Sequence, residues 1–147
     1  MTHTLSFIRD NDKILLAMKK RGFGEGRWNG YGGKIDKEES PSQAAKRETK
    51  EEIDVSVSEI EEMGVIDFHM PNQYLKVHLF LIKKWTGEPK ETEEMKPKWF
   101  DIKEIPYKHM WPDDSYWLPI FLNNVKIKGK FWFDEKDQVI DFSIQSL

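Results

Sequence analysis

Residues 33–55 read G-K-I-D-K-E-E-S-P-S-Q-A-A-K-R-E-T-K-E-E-I-D-V, a polar loop running into a single helix. Ser40 suits the N-cap and Pro41 the first helical position, and Gln43 completes a capping box with Ser40. Beyond the cap, Ala44, Ala45, Thr49 and Ile53 recur at helical spacing and make a narrow packing side. The alanines there imply a close neighbour, and a sheet is expected. Glu48, Glu51 and Glu52 are spaced so that their carboxylates share another face of the helix, with Cβ atoms about 5–6 Å apart. Like charges held together repel one another, and a hard cation is the natural remedy. Magnesium fits, because it takes a few carboxylates and completes its octahedron with waters and phosphate oxygens. The carbonyl oxygen of Gly33, at the end of the loop, is a further candidate ligand.

The flanking segments define a mixed α/β chain. Leu5, Phe7 and Ile14–Leu16, either side of Asp10-Asn11-Asp12, read as a β-hairpin. Residues 19–33, K-K-R-G-F-G-E-G-R-W-N-G-Y-G-G, are too glycine-rich for a helix or strand interior and form a shaped loop ending in a short strand. Strands are expected near 56–70 and 74–85. The second is apolar on both sides, as in a strand covered on both faces. A short strand follows at 98–101, a second helix at 115–124 behind Asp113-Asp114, and a closing hairpin at 131–133 and 139–144. Pro119 restricts that helix's hydrogen bonding. The expected architecture is an α/β/α sandwich around a mixed central sheet, in a single domain over 1–147.

Composition excludes several classes. A net charge of −3 gives no basic face for coating a nucleic acid polymer. With no cysteine, disulfide scaffolds and thiolate zinc sites are ruled out. No apolar run is long enough to cross a membrane, and no signal peptide is recognisable at the start. A cytoplasmic protein is expected. The four histidines show no metal-ligand spacing and read as structural or surface residues.

An acidic helix face alone is ordinarily solvated surface. Here Gly33, Glu39, Arg47, Glu48, Glu51 and Glu52 stand together at the spacing of the Nudix box, and the chain resembles the Nudix hydrolases. The resemblance implies the Nudix fold and hydrolysis of a nucleoside diphosphate linked to another group, with Mg2+ (or Mn2+) as cofactor. It makes Glu48 and Glu52 the direct ligands, with Glu51 close by and Glu94 brought from a distant acidic loop. Arg47 and Glu39 become a supporting ion pair. Glu48 is the favoured general base, with Glu52, Glu94 and a pocket aspartate remaining open. Two positions depart from the box: Thr49 replaces an aliphatic residue, and Asp54 replaces a glycine.

The similarity extends through E-E-M-K-P-K-W-F, I-P-Y-K-H-M-W-P and W-P-D-D-S-Y-W to the Nudix branch acting on oxidised purine nucleoside triphosphates. It implies hydrolysis of 8-oxo-dGTP and 2-hydroxy-dATP, with O6-methyl-dGTP a further candidate, to the monophosphate and pyrophosphate. Asn29 offers a donor and an acceptor to a purine edge, and Phe23, Phe68, Trp111 and Trp117 offer stacking surfaces. Asp113 and Asp114 are adjacent carboxyls whose burial and repulsion should keep one protonated. Thr4 and Lys19 complete the expected substrate set. Met70 falls where the family carries an aromatic residue, in a segment about two residues shorter. The competing readings are hydrolysis of a dinucleoside polyphosphate or capped RNA end, and a Nudix module that binds without cleaving. The expected partner is a small nucleoside triphosphate, without nucleic acid polymer or membrane, and a monomer suffices.

Overall fold

The computed structural model describes residues 2–147. The chain forms β1 (Thr2–Asp10), β2 (Lys13–Lys19), β3 (Trp28–Asn29), α1 (Pro41–Ile53), β4 (Ser56–Met70), β5 (Gln73–Thr86), β6 (Met95–Asp101), α2 (Asp114–Leu122), β7 (Ile127–Phe133) and β8 (Val139–Ser146). All eight strands join one mixed sheet, in which β1 runs parallel to β5 and β4 parallel to β7. The elements expected from sequence are all present. The second helix begins at Asp114 rather than Ser115, and β6 starts three residues earlier than its aromatic end suggests.

Helices cover both faces. On one side α1 packs through Ile53 over Ile8, Leu15, Ala17 and Ile82. On the other, Trp117, Leu118 and Phe121 of α2 close over Phe7, Ile14, Leu16, Leu79 and Phe131. Consecutive residues of β1 and β2 therefore point into two different cores, which is why their sequences are apolar without alternation. The β7 end differs. Its burial alternates, with Ile127, Gly129, Phe131 and Phe133 inward and Lys128 and Lys130 in solvent, because only α2's side is covered there.

Two local features place the site. The capping box forms, with the Gln43 N–H donating to Ser40 Oγ at 3.1 Å and the Ser40 N–H to Gln43 Oε1 at 2.9 Å. At the other end of α1, Asp54 takes the left-handed conformation at φ 58°, as a glycine substitute must. The second feature is a split between β1 and β2, whose pairing stops at Ile8↔Leu15. The glycine-rich loop enters the gap and bridges to both strands, at Ala17↔Asn29 and Ser6↔Tyr31. Tyr31, fully buried, closes it: its hydroxyl accepts from the Ile8 N–H at 2.6 Å and donates to the Leu15 carbonyl at 3.1 Å. Asn29 is thereby anchored inside the fold. No helix among the described residues is long and apolar enough to cross a membrane.

Candidate active site

The loop that carries Asn29 continues past Gly32 and Gly33, which run against β1 on one side and α1 on the other. The Thr4 N–H donates to the Gly33 carbonyl at 2.9 Å, and the Gly32 N–H donates to Glu52 Oε1 at 2.7 Å. A Cβ at Gly33 would stand 2.7 Å from the Glu48 carboxyl carbon, and one at Gly32 would stand 1.9 Å from the Thr4 oxygen. Only glycines let the chain pass between these groups. The Gly33 carbonyl, expected as a further candidate metal ligand, has one acceptor position occupied by the Thr4 N–H.

The helix carboxylates fall into unequal environments. Arg47 binds Glu39 through two nitrogens, at 2.7 and 2.9 Å, and also reaches Glu48 Oε1 at 2.8 Å and Glu51 at 3.3 Å. Glu51 projects into solvent. Glu52 is 5% exposed and, among the described residues, has no cation within salt-bridge distance. Burial pushes its carboxyl up to about 7; the Gly32 N–H and Lys19 oppose this, and the charges of Glu48 and Glu94 add to it. Burial also raises Glu48, against the pull of Arg47. Glu94 turns towards Arg21, whose Nε donates to it at 3.0 Å, and this pairing holds its carboxyl below the usual range. Among the described residues no three acidic or histidine side chains are placed to grip one ion together. Arg47 and Arg21 hold the expected ligands Glu48, Glu51 and Glu94 instead.

Beside this acidic face lies a cavity of about 300 Å³. Glu52, Gly33, Lys19 and Thr4 line it together with Asn29, Phe68, Trp111, Asp113 and Asp114. Phe23 stands at the rim, about half exposed, with its ring 4.9 Å from that of Trp111. The Gly30 N–H donates to Asn29 Oδ1 at 2.8 Å, which leaves the Asn29 NH2 as the end available to a ligand. Met70, Leu75 and Val77 extend the wall beyond Phe68.

Asp113 occupies the N-cap position of α2 but makes no side-chain capping bond. Its carboxylate instead accepts from Trp117 Nε1 at 2.7 Å. Trp117, expected as a stacking surface, is fully buried and does not border the cavity; its ring packs edge-on against Phe7 and Phe121. The physical reason is register, since Trp117 lies one helical turn after Asp113 and points beneath it into the core. Asp114 is equally buried, and its Oδ2 has no partner. Burial raises both carboxyls, and the neighbouring Asp113 charge raises Asp114 further, which favours a proton retained on the pair.

Sequence reasoning missed His3. It borders the cavity with a buried, unpartnered Nδ1, next to the equally unpartnered Thr4 hydroxyl. Burial lowers its pKa, which keeps it neutral at pH 7. A solitary histidine in a strand carries no spacing signal that would have revealed it.

Residues 2–121 match the family model described as the NUDIX domain. The chain belongs to the Nudix family. It is 41% identical over 147 residues to the oxidized purine nucleoside triphosphate hydrolase of Mus musculus, spanning 99% of this chain and 94% of that protein. It is 39% identical over 146 residues to the protein of the same name from Danio rerio, with 98% and 94% covered. Among solved structures, the mutator MutT protein of Bacillus halodurans superposes with a TM-score of 0.86 over 98% of this chain and 97% of that one, at 23% identity. As a Nudix chain it accommodates both departures from the box without disturbing the carboxylates. Thr49 is fully buried and donates its hydroxyl to the Ala45 carbonyl at 2.8 Å, and Asp54 is ion-paired to Lys50 at 2.8 Å.

Proposed function

We infer that this Nudix chain hydrolyses oxidised purine nucleoside triphosphates to the monophosphate and pyrophosphate, using a divalent metal ion. Two near full-length relatives are named oxidized purine nucleoside triphosphate hydrolase. The observation that carries the base preference is the buried Asp113–Asp114 pair, which shares one cavity with Asn29 and with Glu52. Two adjacent carboxyls that hold one proton between them present both a donor and an acceptor. Such a pair can meet the exchanged donor and acceptor patterns of oxidised guanine and oxidised adenine. Trp111, Phe68 and Phe23 supply apolar surface for the purine rings.

The Glu-rich helix face fits a hard cation. Glu52 is buried without a positive partner, and the Cβ-free Gly33 lies directly against Glu48. Glu48, Glu51 and Glu52, with Gly33 and Glu94, are the proposed holders of Mg2+ (Mn2+ being an alternative). When bound, such an ion neutralises polyphosphate oxygens and acidifies a coordinated water. The protein's own part is positional. Arg47 fixes Glu48 and the Glu39 loop, and the Gly32 N–H orients Glu52. Family analogy favours Glu48 as proton acceptor, but Glu48 is held by Arg47. Glu52 borders the cavity and forms no salt bridge among the described residues, so we assign it to take the proton of the attacking water. The water oxygen bonds to phosphorus as the phosphoanhydride bond breaks, and pyrophosphate departs. The working unit is proposed to be a single-domain cytoplasmic monomer.

A substrate panel in Mg2+ tests this reading, comparing 8-oxo-dGTP, 2-hydroxy-dATP, O6-methyl-dGTP, dGTP and a dinucleoside polyphosphate. The expected result is pyrophosphate release from the oxidised purines in strong preference to dGTP. Preferential cleavage of the dinucleoside polyphosphate would overturn it, and so would binding without turnover.

A further inference from the structure

Trp111, an aromatic wall of the base cavity, does not belong to a strand, because it lies in the irregular segment between β6 and α2. Nothing in its local backbone fixes the ring. What holds it comes from a different part of the chain. The guanidinium carbon of Arg27, immediately before β3, sits 3.9 Å from the centre of the Trp111 ring. Arg27 does not border the cavity, so it covers the ring from outside. Gly24 lies against the indole edge, where a Cβ would stand 3.1 Å from Nε1, and Phe133 meets the ring edge-on at 6.1 Å. Arg27 is in turn held by Asp137, in the β7–β8 turn, with its Nη1 3.4 Å from Oδ2.

We propose that Arg27 is a positioning residue for base recognition, stacking on Trp111 to hold it as a rigid cavity wall, with Asp137 clasping Arg27 from the opposite turn. This deepens the proposed function and rests on it. A planar cation stacked on an indole suits the role better than an ammonium group, because it covers the ring while keeping nitrogen donors for the carboxylate. The brace acts on the base end of the site only. Arg27 makes no hydrogen bond or ion pair to Glu48, Glu51, Glu52 or Arg47. Its loss should therefore weaken substrate binding and leave the hydrolytic step intact.

The test is steady-state kinetics of wild type, Arg27→Met, Arg27→Lys and Asp137→Asn on 8-oxo-dGTP, with thermal midpoints for each. For Arg27→Met, KM should rise by up to about tenfold, the limit reached when the whole of a partly desolvated cation–π contact must be regained on binding, with kcat within about twofold. Arg27→Lys should recover part of the loss, and Asp137→Asn should raise KM about threefold. An unchanged KM in Arg27→Met would overturn the proposal. A fall in kcat tracking a fall in thermal midpoint would do so too, since that pattern marks a merely structural residue. Should Arg27→Met fail to fold, Asp137→Asn carries the same KM test from an exposed turn. Wild-type inactivity on 8-oxo-dGTP would instead sink the functional reading itself.

Discussion

Replacing Glu52 by Gln should make the metal-free protein more stable while abolishing turnover. The carboxyl is 5% exposed, and burial lifts it from an ordinary 4.5 to about 7. In the unfolded chain the group releases its proton near 4.5, whereas the folded protein keeps it until about 7. Across that window the folded state binds the extra proton, so stability falls as pH rises and then levels off above it. The difference in pKa corresponds to about 3 kcal/mol at pH 8.5 and close to nothing at pH 4.5. Glutamine is neutral throughout, and its Oε1 can still accept the Gly32 N–H. At this chain length, each kcal/mol shifts the melting midpoint by about 2–4 °C. Thermal unfolding in chelator should therefore place Glu52→Gln about 6–12 °C above wild type at pH 8.5, with the two converging near pH 4.5. Adding Mg2+ should raise wild type at pH 8.5 and narrow the gap, because the ion adds the close opposite charge that Lys19 supplies only in part. Equal midpoints at pH 8.5, or a less stable variant there, would refute the reasoning that this carboxylate is an uncompensated buried charge.

Other expectations follow from the same geometry. Trp117→Phe keeps the ring in the core but leaves the buried Asp113 carboxylate without its 2.7 Å donor, a loss of about 1–3 kcal/mol readable by chemical denaturation. Its KM for 8-oxo-dGTP should rise as well. Burial raises the pKa of both Asp113 and Asp114, so affinity for an oxidised purine that needs a donor from this pair should fall as pH rises through that elevated range. In Asp114→Asn that alkaline fall should vanish from the pH profile of kcat/KM; its persistence would assign the titration elsewhere. Ser40→Ala removes the α1 cap and should cost about 1 kcal/mol in urea unfolding, with little change in kcat.

The residues that could be read directly are those governed by local rules. The capping box, the carboxylate face of α1 and the left-handed Asp54 depend on contacts within one turn of helix, and all were visible as spacings. The strands of the double-sided core were equally legible, because a strand covered on both faces must be apolar throughout. Trp117 was not. Its aromatic character allowed either a cavity wall or a core, and only the packing of α2 on Phe7 and Phe121 chose the core. His3 was missed because its significance is a buried, unpartnered nitrogen, which no spacing encodes.

The stretch from Gly33 to Val55 determined by itself the helix, its ends and the shared face of Glu48, Glu51 and Glu52, since helical geometry turns sequence offsets into directions. It could not rank those three glutamates. The ranking came from how the chain folds around them: Arg47, tied to Glu39, holds Glu48 and Glu51, while the Gly32 N–H closes over the buried Glu52. Charge is a property of the residue, but desolvation and counter-charge belong to its surroundings. The fold, by burying one carboxylate and pairing the others, gave three identical side chains three different environments.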